Sequence, residues 1–115
     1  MRRGDIVWVD LEPVRGSEAD KRRPAVVVSN DGANQTAQRL GRGVITVVPI
    51  TSNTARVYPF QVMLPADRCE LREDSKAQAE QVRSVSVGRI GPAIGRLPSD
   101  LVDELGAALR LHLDL

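Results

Sequence analysis

The chain has 115 residues, of which 42% are hydrophobic and 3% aromatic, and its formal net charge is +1. These values predict one folded domain over residues 1–115 with an aliphatic core, and they argue against a disordered chain or a polycation that binds nucleic acid through bulk charge. A single cysteine and a single histidine exclude an internal disulfide and argue against a structural zinc site. No signal-peptide pattern and no membrane-spanning apolar stretch is visible, so the expected compartment is the cytoplasm.

The first third of the chain predicts two strands and a short helix. Residues 5–10 are rich in strand-forming side chains. A polar loop over 14–21 follows, and a second strand over 24–29 begins at Pro24, a position where proline is tolerated. After a turn signalled by asparagine, aspartate and glycine, residues 33–40 predict a short helix.

The middle of the chain predicts the central strand. Residues 44–50 form the most apolar stretch, which is typical of a strand buried on both faces. Pro49 cannot donate to a ladder, so it predicts a strand end, a bulge or an edge position near Thr51. Residues 60–64 alternate like a half-buried strand, and 65–74 predict a loop or a short helical turn.

The last third is ambiguous at first and then clearly helical. Residues 76–87 fit a helix by propensity, but we interpret them as a strand with alternate residues from Ala77 to Arg83 on one face. A break at Gly91 and a short strand over 93–97 follow. Ser99 then predicts the N-cap of a C-terminal helix. Its expected apolar stripe consists of Leu101, Val102, Leu105, Ala108, Leu109 and His112.

These elements predict an α+β fold, mainly β, with short helices and a C-terminal helix around a barrel-like antiparallel sheet. Strand ends are where scaffolds usually mount functional groups. Arg23 and Thr51 stand at two such ends, where a guanidinium fork fits phosphate and a hydroxyl can donate or accept. They point to a phosphodiester, and so to nucleic acid. The alternatives are an Arg23 paired with Glu18 or Asp20, and a Thr51 that caps backbone.

The order of these motifs resembles a known family. The segment RRGDIVWVDLEPVRGSEADKRRPAVVVSN is similar to the N-terminal half of the MazF/PemK/Kid family of toxin endoribonucleases. Four later features match as well: VVPITSN, FQVMLP, the acidic stretch up to Asp74 and AEQVRSV. The resemblance covers nearly the whole chain.

The resemblance implies a compact, SH3-like antiparallel barrel with a C-terminal helix, usually dimeric. It implies a toxin that cuts single-stranded RNA at short sequences without a metal or other cofactor, leaves a 2′,3′-cyclic phosphate, and inhibits translation and growth. The implied partners are the RNA substrate, a cognate antitoxin and a second copy of the chain. DNA binding is expected only through the antitoxin complex, and no membrane partner is expected.

The resemblance also assigns site residues. Arg23 would act at the scissile phosphate with Thr51 as its partner, and no residue would bind metal. The RNA-binding or supporting residues would be Ser17, Glu18, Arg22, Ser52, Asn53 and Gln81. Lys21 and Arg22 before Arg23 depart from many family members, which leaves open which arginine contacts the phosphate. The identity of the general acid and base also stays open.

Two readings from other functional classes compete with the enzyme. Relatives of the same fold bind DNA gyrase without cutting RNA, and they would have no need of a phosphate clamp formed by Arg23 and Thr51. An SH3-like module that binds peptides is the other alternative. Its groove is usually lined by aromatic side chains, and three aromatics in the whole chain fit that poorly.

Overall fold

Seven β-strands and three α-helices are seen in a computed structural model that describes residues 1–11 and 22–115. In chain order they are β1 (Asp5–Asp10), β2 (Arg22–Val27), α1 (Asp31–Leu40), β3 (Val44–Thr51), β4 (Gln61–Leu64), α2 (Ala66–Cys69), β5 (Ser75–Gln78), β6 (Arg83–Ser86), β7 (Ile90–Arg96) and α3 (Ser99–Leu113). Two 3-10 turns cover Ala79–Gln81 and Val87–Arg89. The predicted loop over 14–21 lies outside the described residues.

The strands form one sheet in the order β4-β5-β3-β2-β1-β7, with β6 paired to β3 beside β5. All pairs are antiparallel. The prediction of a mainly β fold with a C-terminal helix is confirmed. The sheet is barrel-like but not closed, because no pair between β4 and β7 joins its two ends within the described ranges.

Both faces of the central strands are buried. Alternate residues of a strand point to opposite faces, and neighbours such as Ile6 and Val7 belong to two different core clusters. One cluster packs against α3 through Leu101 and Leu105, and the other packs against α1 through Ala37. The predicted burial of β3 on both faces is confirmed from Val47 to Ile50, and Ile45 is buried as well.

Pro49 lies inside β3, at the place where β3 changes partner. Residues Val44 to Val47 pair with β6, whereas Ile50 and Thr51 pair with β5. Pro49 falls between these two ladders, so its missing N–H coincides with a gap in the pairing on that edge of β3.

The prediction of one strand over 76–87 is wrong in detail. The 3-10 turn of three residues separates β5 from β6, so Ala77 and Gln81 do not lie on one face of a single strand. Both pieces run antiparallel to β3, but the turn allows each to keep its own register. The break expected at Gly91 is also wrong, because β7 runs through it.

The helix ends differ from expectation in two places. Asn30 caps α1, and its side chain accepts the Ala33 N–H at 2.8 Å, so the helix begins two residues earlier than predicted. Pro98, not Ser99, is the N-cap of α3. Leu101, Leu105 and Ala108 are buried as expected, but His112 is exposed and does not join the apolar stripe.

Candidate active site

Strand register brings the two predicted catalytic residues together. In the β2–β3 pair Ala25 lies opposite Pro49 and Val26 opposite Val48. The same register, continued by two residues, places Arg23 opposite Thr51. Side chains of directly opposed residues share one face of the sheet and lie close to each other. Arg23 and Thr51 are therefore neighbours at the ends of adjacent strands.

A cavity of about 580 Å³ opens at this place. Arg23, Thr51, Ser52 and Ser75 supply polar groups, and the rest of the lining has two parts. One part is an apolar wall of Trp8, Pro24, Ile50, Leu71 and Ile94. The other is a charged segment of Glu70, Arg72 and Glu73. A lining that combines a cation, hydroxyls and apolar side chains suits a phosphorylated ring compound.

The Thr51 hydroxyl is fixed by the turn that follows it. Its Oγ1 accepts the backbone N–H of Asn53 at 3.2 Å, and the Asn53 side chain in turn accepts the N–H of Ala55 at 3.3 Å. The hydroxyl proton of Thr51 can still be donated to another acceptor. Its neighbour Ile50 is 3% exposed, which anchors the end of the strand in the core.

Arg22 has a different environment from Arg23. It lies opposite Asp10 in β1, and its guanidinium is 5.9 Å from the ring centroid of Trp8. A Cβ at Gly91 would approach the Arg22 guanidinium to 2.9 Å, so the glycine leaves room for this side chain. Arg22 does not line the cavity, whereas Arg23 does.

The charged segment of the cavity directly follows α2, and hydrogen bonds to the first residue of that helix fix the segment at its start and just beyond its end. Glu70 adopts a left-handed conformation with φ of 60° and donates its N–H to the Ala66 carbonyl. Leu71 donates to the same carbonyl at 3.0 Å. The Ala66 N–H is itself bound by the Asp74 carboxylate at 2.9 Å. These bonds fix the position of residues 70–73 beside Arg23.

Sequence reasoning missed Trp8, Ile94 and residues 70–73 as parts of the site. Trp8 belongs to the apolar strand pattern of residues 5–10, yet it is half-buried and lines the cavity. The acidic stretch before Ser75 was noted only as a family feature. Its place in the cavity depends on how α2 packs on the sheet, which no local pattern announces.

The remaining predicted residues are placed less directly. Ser17 and Glu18 lie outside the described residues. Asn53 is exposed beside Thr51, and Gln81 is exposed on the 3-10 turn after β5 and does not line the cavity. Their roles in RNA binding stay predictions.

No group of three or more potential metal-ligating side chains occurs within residues 1–11 and 22–115. The expectation of metal-independent chemistry is not tested by this finding. None of the helices in the same ranges is long and apolar enough to cross a membrane.

Comparison with known proteins assigns the family. Residues 2–113 match the family described as PemK-like, MazF-like toxins of type II toxin-antitoxin systems. The chain belongs to this family. It is 63% identical over 115 residues to endoribonuclease MazF9 of Mycobacterium tuberculosis, covering 100% of this chain and 98% of that protein. The family resemblance seen in the sequence is thereby confirmed.

Solved structures of family members share the fold. Crystalline MazF from Deinococcus radiodurans aligns with a TM-score of 0.76 at 29% identity, over 100% of this chain and 97% of that one. A MazE–MazF structure from the same organism aligns with a TM-score of 0.76 at 27% identity, also over 100% of this chain and 97% of that one. The similarity extends over the whole sheet and its helices.

Proposed function

We propose that this chain is the toxin of a toxin–antitoxin pair and cuts single-stranded RNA, which stops translation and growth. The opposed positions of Arg23 and Thr51 beside a cavity carry this proposal. Its further support is the endoribonuclease name of a relative that is 63% identical over its length. Residues 1–115 form one toxin domain in this proposal, supported by the family match over residues 2–113.

In the proposed reaction the ribose 2′-hydroxyl attacks the neighbouring phosphorus. The bond to the 5′-oxygen breaks, which leaves a 2′,3′-cyclic phosphate and a 5′-hydroxyl. Arg23 stabilises the negative charge that grows on the phosphorane oxygens, because its guanidinium fork is already positioned. The Thr51 hydroxyl donates a hydrogen bond to a non-bridging oxygen. Arginine stays protonated, so Arg23 acts as a clamp rather than as the proton donor.

The cavity also has room for the base next to the cut. Single-stranded RNA is recognised through unstacked bases that pack on side chains and hydrogen-bond through their edges. Trp8, Leu71 and Ile94 offer an apolar surface, and Glu70 and Glu73 offer carboxylate acceptors for exocyclic amino groups. The cut sequence is therefore chosen partly by residues that do no chemistry.

The proposed partners follow from the same family. The toxin acts as a homodimer in the cytoplasm, and a cognate antitoxin blocks its RNA groove. The MazE–MazF structure of Deinococcus radiodurans supports a partner protein of this kind. DNA binding occurs only through the toxin–antitoxin complex. The gyrase-binding alternative is not favoured, because the relatives reported above carry endoribonuclease or MazF names.

The test begins with purified protein, a long single-stranded RNA and a chelator. We expect discrete fragments, and mapping of their ends gives the cut position. A short RNA with that sequence should then be cleaved, whereas the same RNA with a deoxyribose at the cut position should stay intact. Cleavage of the deoxy substrate would show that the 2′-hydroxyl is not the nucleophile. Intact RNA together with altered DNA supercoiling would support the gyrase binder instead.

A further inference from the structure

We propose that Arg56, Tyr58 and Lys76 form a second phosphate-binding subsite beside Thr51. It holds an RNA phosphate adjacent to the one that is cleaved. This inference rests on the proposed function, since it takes single-stranded RNA as the ligand. None of the three residues was singled out by the sequence motifs.

Strand pairing places Lys76 next to the catalytic pair. Thr51 of β3 lies directly opposite Lys76 of β5. Neighbouring strands are about 4.8 Å apart, and directly opposed side chains share a face. With Arg23 on the other side of Thr51, three adjacent strands present a cation, a hydroxyl and a second cation in one row.

Lys76 is unusually buried for a lysine. It is 8% exposed, its ammonium donates to the carbonyl of Arg56 at 2.6 Å, and it lies 6.0 Å from the Tyr58 ring centroid. Within the described ranges it forms no ion pair with a carboxylate. Buried charges are normally paired with an opposite charge. In the part of the chain that the structure describes, a carbonyl and a ring compensate this ammonium, so a nearby anion is favoured.

Arg56 is the exposed part of the subsite. Its Nη1 donates to the Tyr58 hydroxyl at 3.2 Å, and its guanidinium lies 5.9 Å from the Tyr58 ring centroid. Tyr58 is in turn stacked on Phe60, with ring centroids 5.3 Å apart. These contacts restrain the guanidinium, and Arg56 is exposed, so the side chain is open to an anion from solvent. A preorganised fork of this kind loses less entropy when it binds phosphate.

The turn below Tyr58 is tied to the sheet. Gln61 accepts the Tyr58 N–H at 3.1 Å through its side chain and donates its own N–H to the Tyr58 carbonyl at 2.8 Å. Its amide also donates to Glu80 at 2.6 Å. Glu80, part of the motif that resembles the family, thus supports the subsite from below and does not line the cavity.

Single-stranded RNA fits this row better than an isolated anion does. Its phosphates repeat along a flexible backbone, and Arg23 already accounts for the one that reacts. A fixed cation one or two strands away is placed for a neighbouring phosphate, and contacts of this kind set the register of a nucleic acid without reading its sequence.

The test measures how tightly the RNA binds at several salt concentrations. The ligand is the short RNA with deoxyribose at the cut position, which binds without being cut. Arg56→Gln and Lys76→Met should each weaken binding about tenfold. Each should also lower the slope of log Kd against log salt by about 0.7, the value for one phosphate contact with a single strand. Arg42→Gln is the matched control, because Arg42 is an exposed arginine in the turn before β3.

A second arm identifies the phosphate. Each phosphate of the RNA is replaced in turn by an uncharged methylphosphonate. At one position next to the cut, the replacement should weaken binding to the wild type but have little further effect on Arg56→Gln. Arg56→Gln alters an exposed side chain, so the test stands even if Lys76→Met unfolds.

Three results would overturn the subsite while leaving the proposed function intact. In the first, the wild type cleaves RNA, but Arg56→Gln binds RNA with the same affinity and salt slope as Arg42→Gln. In the second, no methylphosphonate replacement affects the wild type and Arg56→Gln differently. In the third, Arg56→Gln weakens the binding of an acidic antitoxin peptide but not the binding of RNA. Failure of the wild-type protein to cut or bind any RNA would instead contradict the proposed function.

Discussion

Arg22 and Arg23 are adjacent in the chain but serve opposite faces of β2, because successive strand residues alternate. Arg22 approaches the ring of Trp8, a residue of the cavity wall, but only Arg23 of the two arginines lines the cavity itself, together with Thr51. The sequence left open which arginine contacts the scissile phosphate, and the positions of the two side chains favour Arg23.

Arg23→Ala should lose about a hundredfold to a thousandfold in kcat, the typical loss for one positioned transition-state donor. Arg22→Ala should lose far less, because it removes a neighbour of Trp8 and not a cavity group. Cleavage kinetics on the mapped RNA would measure both, with circular dichroism to show that both variants fold. Equal losses, or a larger loss for Arg22→Ala, would move the phosphate contact to Arg22.

Cys69 gives a second prediction at the level of one side chain. Burial raises the pKa of its thiol above the ordinary value. As the pH rises, the thiol of the unfolded chain therefore loses its proton before the thiol of the folded chain does. The contribution of Cys69 to the free energy of unfolding is complete below the unfolded-state pKa and is lost as the pH rises through the folded-state pKa. At pH 8 a thiol reagent should label the native protein much more slowly than the protein in urea. Equal labelling rates would show that the thiol is accessible.

Among the residues of the cavity, the sequence could single out those at strand ends. Arg23 could be found because it directly precedes a recognisable strand, and Thr51 because it directly follows one. Trp8 could not, because its side chain reaches the cavity only through the register of β1 against β2. His112 was misplaced because helical spacing alone does not show where the packing partner of α3 ends.

Among the elements, α2 and β7 depend on a glycine for their close contact. A Cβ at Gly95 would overlap the Cys69 carbonyl oxygen at the end of α2. That helix holds residues 70–73 at the cavity, so the contact positions part of the site.

Gly95→Ala should lower the free energy of unfolding by about 1–3 kcal/mol, the usual cost of forcing atoms into a packed interior. Gly106→Ala is the matched control inside α3, where the nearest atom to a new Cβ is 3.8 Å away. It should raise the free energy of unfolding by about 0.5–1 kcal/mol, since alanine favours a helix over glycine. Urea denaturation measures both. A neutral Gly95→Ala would mean that α2 can move away without cost.

Element types were predictable and several boundaries were not. β1 was expected and found over the same residues because its apolar pattern is unbroken. The strand predicted over 76–87 is interrupted because β5 must pair with β4 as well as β3, while β6, among the described strands, pairs with β3 alone. Such competition between partners is a property of the sheet and leaves no local signal.

At the scale of the whole molecule, exposed leucines at the end of α3 and just after it favour a partner. Leu111, Leu113 and Leu115 are 58%, 48% and 84% exposed. Light scattering should therefore give a mass near twice the 12.5 kDa of one chain.

An antitoxin peptide should block cleavage and compete with the deoxy RNA. A monomer with full activity would contradict the dimer, and a ternary complex of dimer, peptide and RNA would contradict the shared groove.

The family and the mainly β class were predictable because motif order extends over nearly the whole chain. The strand order was not, since β3 lies between β2 and β5 and also pairs with β6, and local patterns do not specify such neighbours.

The loop over 70–73 has one more consequence. It is held by α2 and Asp74, whereas Arg23 and Thr51 belong to the sheet. Exchanging Leu71, Arg72 or Glu73 alters the wall that a base would meet without removing a strand hydrogen bond. In the proposed enzyme, new target sequences can therefore evolve by changes in one short segment, while the cutting apparatus is inherited unchanged.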